Sequence, residues 1–235
     1  MLTLAFDTST TTGLVVLLRD KAVLSSKLWN REGSHGEFLT PALNECLDLA
    51  NLRPTDIDQI AVGIGPGSFT GARISVNAAK ALAYTLSKPI LTYDTTELLA
   101  AGVSLFERPL LVMLNANKNQ IYASTYIWNS HVWHRKSLLN CYHLESLDSL
   151  ILTEHLCLGD GFEEYQAFLP PKAASFLVRD LRATNATSDT PSVASFQNLD
   201  RLGSRQPLVW KDIQALYVRA SGAEEKRQED LNKKV

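Results

Sequence analysis

Gly63-Ile-Gly65-Pro-Gly67-Ser-Phe-Thr-Gly71 decides how this chain is read. Four glycines fall within nine residues, and the run opens directly onto a helical pattern. Glycine permits positive φ and lets one backbone approach another closely. Backbone N–H groups at a helix start also suit an anion. The run is not a G-x-x-x-x-G-K-S/T phosphate loop. Its glycines at 65, 67 and 71 depart from the dinucleotide fingerprint in the last interval, and Asp94 is the nearest acid to the expected ribose contact. Two readings stand side by side at this point. One is an anion cradle; the other is a tight strand-to-helix turn packed against a neighbouring backbone.

Working outward, Gln59–Ile64 reads as a buried strand and Ala72–Ser87 as a helix stopped by Lys88-Pro89. Together they form one strand–turn–helix unit of an α/β fold. Upstream, residues 2–6 are a short apolar strand ending at Asp7-Thr8-Ser9-Thr10. Segments 12–19 and 21–29 complete a meander, with a tight connection at Arg19-Asp20-Lys21. Ser34 and Glu37 form a capping box for a helix through residue 51, interrupted by Pro41, which removes one backbone donor. Downstream come a strand near 89–92 and a helix at 95–105. Leu110–Leu114, a polar turn at Asn115–Asn119 and Gln120–Trp128 then repeat the strand, turn, strand order of the N-terminus. A helix at 143–153, a strand at 156–158 and a helix at 191–202 complete the pattern. The repetition predicts a duplicated α/β fold: an N-terminal lobe at 1–108, a C-terminal lobe at 109–205, a segment at 206–221 returning to the first lobe, and a polar tail at 222–235.

Composition narrows the function. The formal net charge is −2, with Lys+Arg 23 against Asp+Glu 25. A protein gripping nucleic acid alone through many phosphates is expected to be more basic. The three cysteines (Cys46, Cys141, Cys157) are odd in number and isolated, which argues against a disulfide framework. No run reaches the roughly 18 apolar residues of a membrane helix, and Met1-Leu-Thr-Leu-Ala-Phe-Asp7 does not read as a signal peptide. A cytoplasmic location is the expectation.

Among residues that could carry chemistry, Asp7 and Ser9 sit where a leading strand can present a phosphate-bound cation, although on this tetrapeptide alone an Asx or Ser/Thr turn is the favoured account. With Gly65, Gly67, Ser68 and Gly71 they form the candidate nucleotide or anion set. The five histidines have no metal-ligand spacing, so no metal is expected. Ser68 lacks the nucleophile-elbow pattern. On the second helix, Ala72, Ser75, Ala79 and Ala83 form one line of small residues, beside a second line of Ile74, Ala78, Leu82 and Thr85. One face can enter the chain's own core and the other can meet a partner.

Asp7-Thr8-Ser9, Ser34-His35-Gly36-Glu37 before a helix with Pro41, the run Gly65-Pro-Gly67-Ser-Phe-Thr-Gly71-Ala-Arg73-Ile, and Ala79-Lys80-Ala81-Leu82-Ala83 together resemble the TsaB (YeaZ) family. Leu216-Tyr217-Val218-Arg219 is similar to that family's C-terminal segment. The resemblance is dense over residues 1–128, thins from 129 to 205 and returns near 207–219. It implies a two-lobed actin/sugar-kinase/Hsp70-like (ribonuclease H-like) fold. It also implies a non-catalytic partner of TsaD in making threonylcarbamoyladenosine in tRNA, with TsaE, an ATPase, joining the complex. In the family the two N-lobe helices meet TsaD. Here they map to 34–51 and 72–87, with Phe38, Leu39, Ala42, Leu43, Ser75, Val76, Ala79 and Ala83 as candidate contacts. No intrinsic cofactor is expected, ATP or ADP entering only at the complex interface. Contact with tRNA would be indirect, and the isolated chain would form a homodimer.

TsaD-like enzymes carry an H-x-x-x-H metal motif after the Lys-Pro strand. The matching stretch, Thr92-Tyr-Asp94-Thr-Thr-Glu97-Leu-Leu-Ala, has no histidine. At the second-lobe turn, Asn115 stands where the family pattern has an aspartate. The competing reading is an independent ATP-dependent small-molecule kinase of the same fold. A metallopeptidase reading is set aside for want of the histidine pair.

Overall fold

The computed structural model describes residues 1–30, 35–104, 107–179 and 189–219. The capping residue expected at Ser34 and the tail expected at 222–235 lie outside the described residues. Two sheets organise the chain. The first has the order β3-β2-β1-β4-β5, built from β1 (Leu2–Asp7), β2 (Thr12–Arg19), β3 (Ala22–Asn30), β4 (Gln59–Gly63) and β5 (Ile90–Tyr93). The second has the order β11-β10-β6-β7-β8, with β9 also paired to β7. Its strands are β6 (Leu110–Asn115), β7 (Gln120–Asn129), β8 (Val132–Arg135), β9 (Asn140–His143), β10 (His155–Leu158) and β11 (Leu177–Val178).

In both sheets an antiparallel pair is followed by parallel strands. β1 runs antiparallel to β2 and parallel to β4, and β6 runs antiparallel to β7 and parallel to β10. Every residue of β1 is buried, because both faces of the first sheet are covered. Leu2, Leu4 and Phe6 alternate into a core beneath α1 (His35–Leu49) and α2 (Phe69–Leu86), together with Leu43, Leu47 and Val76. Ala5, Leu14 and Val16 face the other way, onto Leu98 and Phe196. Burying an apolar side chain of this size contributes about 1.5–3 kcal/mol.

α3 (Thr95–Ala101) lies between the two sheets. Its Leu98 enters the first-lobe core, while Leu99 and Ala100 enter a core with Leu110, Val112 and Leu158 of the second sheet. The far face of the second sheet is covered by α4 (Leu147–Leu150), α5 (Asp160–Tyr165) and α6 (Pro171–Phe176), through Leu147, Phe162 and Ala173.

Several expectations need correction. α2 begins at Phe69, not Ala72, because Ser68 caps it by accepting a hydrogen bond from the Gly71 N–H at 3.2 Å. The helix expected at 143–153 is only a 3-10 turn at Leu144–Ser146 followed by the single turn α4. The helix expected at 191–202 is α7 (Val193–Gln197) followed by a 3-10 turn at Leu199–Leu202. The second lobe's boundary at 205 falls too late, since Phe196 of α7 is already packed in the first-lobe core. Beyond it the chain lies along β5, where Ile90 and Leu208 exchange backbone hydrogen bonds at 2.7 and 3.0 Å. This covers an edge that would otherwise present unpaired donors and acceptors.

Candidate functional site

A cleft opens where the two sheets present the ends of their first strands. On the first-lobe side stand the turn after β1 and the glycine run after β4. On the second-lobe side stand the turn after β6 and the start of α5. A recess of about 190 Å³ there is lined by Ser9, Gly67, Ser68, Asn115, Asn117 and Asp160, among others. A second recess of about 290 Å³ adjoins it, between Phe69, Lys118 and the segment Leu216–Arg219.

The glycine run is shaped first by its neighbour's backbone. A Cβ on Gly67 would strike the Ser9 carbonyl oxygen, and one on Gly71 the Thr8 carbonyl oxygen. Gly67 also has φ +152 and Gly65 φ +92. The two turns are then tied together. Ser68 N–H donates to Ser9 O at 2.7 Å, Thr8 N–H donates to Ser75 Oγ at 2.8 Å, and Thr8 Oγ1 donates to Gly71 O at 2.7 Å. Close packing therefore accounts for Gly67 and Gly71, and Ser75 is spent on Thr8.

Asp7 is buried behind Ser9. Its carboxylate accepts from the Ser9 N–H at 3.1 Å and from Ser9 Oγ at 2.9 Å. Burial pushes its carboxyl up to about 6, against the pull of those bonds. Of the candidate anion set, Ser9, Gly67 and Ser68 line the smaller recess; Asp7, Gly65 and Gly71 do not. Opposite them, Asn115 ends β6 as Asp7 ends β1. Its Oδ1 accepts from Asn117 N–H at 2.7 Å and from Tyr165 Oη at 3.1 Å. Asp160 accepts from Asn115 N–H at 2.9 Å, and burial pushes it up to about 6 as well. This donor set fits a nucleotide's phosphate-bound cation poorly. Asp7 has both oxygens engaged within its own turn, and Asn115 is neutral and engaged twice. Among the described residues no cluster of three His, Cys, Asp or Glu side chains is placed to hold a metal ion.

The expected partner contacts need a larger correction. Leu39, Ala42, Leu43, Ser75, Val76, Ala79 and Ala83 are all buried within the chain, Ser75 and Ala79 at 0% exposure. The small-residue line faces inward, where small side chains let α2 settle close to the sheet and let Ser75 reach Thr8. Phe38 alone of the eight is exposed, at 46%. The outward faces are Phe38, Glu45 and Leu49 on α1 and Arg73, Asn77, Ala81 and Tyr84 on α2. α1 runs through Pro41, whose missing donor falls on that outward face.

Asp160, Tyr165 and the aromatic contacts of Tyr217 were not singled out from the sequence. The signal for Asp160 was present in Gly159-Asp160-Gly161, a glycine-flanked acid after a strand. A Cβ on Gly161 would crowd the Leu114–Asn115 backbone, much as one on Gly71 would crowd Thr8. Tyr217 packs on Phe69 with centroids 4.8 Å apart, and Arg73 Nε donates to Tyr217 Oη at 2.7 Å. Arg219 Nη1 donates to Ala116 O at 3.0 Å across the cleft. The stretch without histidines is structural too: Asp94 and Glu97 form the capping box of α3.

Comparison with known proteins agrees with this geometry. Residues 26–137, just under half of the chain, match the family described as TsaD, tRNA N6-adenosine threonylcarbamoyltransferase. The tRNA threonylcarbamoyladenosine biosynthesis protein TsaB of Bacillus subtilis is 35% identical over 126 residues, 54% of this chain and 55% of that protein. TsaB of Escherichia coli is 31% identical over 135 residues, 56% of this chain and 58% of that protein. TsaB of Buchnera aphidicola subsp. Schizaphis graminum is 29% identical over 167 residues, 68% of this chain and 79% of that protein. The chain thus spans a little over half the length of the first two. Among solved structures, YeaZ from Pseudomonas aeruginosa superposes with a TM-score of 0.73 at 20% identity, covering 92% of this chain and 99% of that one. At that identity the likeness bears on the fold alone, which is that of YeaZ. The chain is thus similar in sequence to TsaB proteins over about half its length or somewhat more, and in fold to YeaZ over nearly its whole length.

Proposed function

We propose that this chain is a non-catalytic partner of a TsaD-like threonylcarbamoyltransferase in the cytoplasmic assembly that makes threonylcarbamoyladenosine in tRNA. The observation that carries the reading is the state of the cleft's polar groups. Asp7 is held by Ser9, Asn115 by Asn117 and Tyr165, and the glycine turn by the backbone of Thr8 and Ser9. A phosphoryl-transfer site needs carboxylates directed at a metal-bound phosphate. These groups are directed at their own chain. The kinase alternative gains nothing from that arrangement.

The partner surface in this proposal is the outward face of α1 and α2, not the inward line of small residues. It offers Phe38, Leu49, Ala81 and Tyr84 beside Glu45, Arg73 and Asn77. A face of this kind also suits self-association by a two-fold contact when the partner is absent. A TsaE-like ATPase would join the complex, and tRNA would be met through the TsaD-like subunit. Nucleotide would enter only where the subunits meet.

The test is reconstitution. A TsaD-like enzyme from the same organism, with its ATPase partner, a threonylcarbamoyl donor and tRNA, should modify tRNA strongly only when this chain is added. The chain alone should hydrolyse no ATP. Modification at full rate without the chain, or ATP turnover by the chain alone, would overturn the reading.

A further inference from the structure

A second largely buried polar cluster lies away from the cleft, beside α3, where the two lobes join. Asp94 ends the β5 segment and caps α3, and its Oδ1 accepts from Glu97 N–H at 3.0 Å. Its other oxygen pairs with Arg135 of β8, in the second lobe. Arg135 also reaches Glu97 at 3.3 Å and donates to Tyr126 Oη of β7 at 2.9 Å. Tyr126 Oη lies 2.7 Å from Thr96 Oγ1, which donates to Asp94 Oδ1. Arg205, from the returning segment, pairs with Glu97, donates to Thr92 O at 2.9 Å and stacks 4.6 Å from the centroid of Tyr93.

Two carboxylates and two guanidiniums are matched here in a largely buried site. Asp94 is 6% exposed and Glu97 15%; Arg135 is 29% and Arg205 28%. The two acids belong to the first lobe, one guanidinium to the second, and the other to the returning segment. A rotation of one sheet past α3 would draw Arg135 away from Asp94 and leave a buried carboxylate without its cation, an arrangement far more costly than the intact pair. The apolar packing of α3 reinforces this, with Leu98 in one lobe's core and Leu99 in the other's. α3 is therefore part of both lobes and a poor hinge.

We infer that the Asp94–Glu97–Arg135–Arg205 cluster locks the two lobes at one relative angle, so that the cleft does not open and close as the protein acts. The inference holds whether or not the chain meets a TsaD-like protein, because it rests on the joint and not on the cleft or the outer helices.

Pulsed electron-spin distance measurement tests it on the full chain. Spin labels go on cysteines placed at exposed Asn44 of α1 and Glu164 of α5, with Cys141→Ser removing the partly exposed native thiol. The expected result is one narrow distance distribution, unchanged by millimolar Mg-ATP. Arg135→Met should broaden it roughly two-fold or add a second population, as a freed hinge would, while near-ultraviolet circular dichroism stays native. A broad or two-peaked distribution in the parent, or a shift on adding Mg-ATP, overturns the inference without any variant. A folded Arg135→Met with an unchanged distribution overturns it too. If Arg135→Met fails to fold, Tyr126→Phe removes only the hydroxyl bonds. Broadening in that variant supports the lock, and an unchanged width counts against it.

Discussion

The two lobes share a strand order but not their helices. In the first, β3-β2-β1-β4-β5 is backed by α1 of 15 residues and α2 of 18. In the second, β8-β7-β6-β10-β11 is backed by α4 of 4 residues and α5 of 6. What both keep is the close approach of backbone after the second parallel strand. Gly71 lies against Thr8 O in the first lobe, and Gly159 and Gly161 lie against the Met113–Asn115 backbone in the second. The comparison indicates that the strand order depends on a few backbone contacts, whereas helix length is free to vary. Helices longer than the core needs leave an outward face available for another protein.

The largest effect should come from those glycines. Gly71→Ala and Gly159→Ala each place a Cβ inside a backbone carbonyl that has no flexible end to move, and Gly159 has φ +104 besides. Each should cost about 3 kcal/mol in urea unfolding, at the upper end for overpacking. A severe Gly71→Ala beside a mild Gly159→Ala would break the equivalence of the two lobes.

Next in size is Ala79→Trp. Ala79 is 0% exposed beneath α2, so this change should unfold the chain or destabilise it by about 1–3 kcal/mol. Ala81→Trp, on the exposed side of the same helix, should shift stability by no more than about 0.5 kcal/mol. Thermal melts of the pair decide the matter; equal melting temperatures would mean that α2 faces the other way. The sequence could not settle this orientation. A line of small residues serves equally for a helix lying close to its own sheet and for one meeting a foreign helix. Only the hydroxyl of Ser75 on Thr8 resolves it.

The strands were more legible than the turns between them. β1, β2, β4, β6 and β10 appear in the sequence as apolar runs because both faces of their sheets are covered. The polar turn at Asn117–Asn119 was readable because asparagine tolerates the left-handed conformation, and all three residues there have positive φ. β8 was missed because its hairpin turns on Ser130 and His131, at φ 50 and 66, without a glycine to mark it. The cleft was half legible. Asp7 and Ser9 stood out, while Asp160 matters only because β10 lies beside β6, a pairing between residues far apart in sequence.

A smaller effect separates the two buried acids from ordinary ones. Asp7 and Asp160 each stand near 6 when folded, against 3.8 for an unperturbed aspartate. Folding therefore favours their protonated forms. That stabilisation is complete below about pH 4 and is lost as pH rises through about 6. Asp7→Asn and Asp160→Asn should be near neutral at pH 4 and should stabilise the chain at pH 7.5 by about 2 kcal/mol each. Chemical denaturation at the two pH values checks this. A gain at pH 7.5 from only one of the two would mean that the lobes do not bury their strand-end acids alike.

The smallest effect on stability should accompany a large effect on binding. Phe38 on α1 and Ala81 on α2 point outward from the first lobe, and Phe168 points outward from the second at 73% exposure. Replacing any of them by Asp changes an exposed position, so stability should move by no more than about 0.5 kcal/mol. Binding should distinguish them. If the first lobe's long helices form the partner surface, Phe38→Asp and Ala81→Asp bury a charge in an apolar contact, and affinity for the TsaD-like protein should fall at least tenfold, about 1.4 kcal/mol. Phe168→Asp should bind as the parent does, because the short helices beneath it are fully used in covering their own sheet. Isothermal titration with all three variants, each checked by its melting temperature, separates the outcomes. Loss of binding in Phe168→Asp alone would move the partner surface to the second lobe. It would also mean that the excess length of α1 and α2 serves something other than this partner.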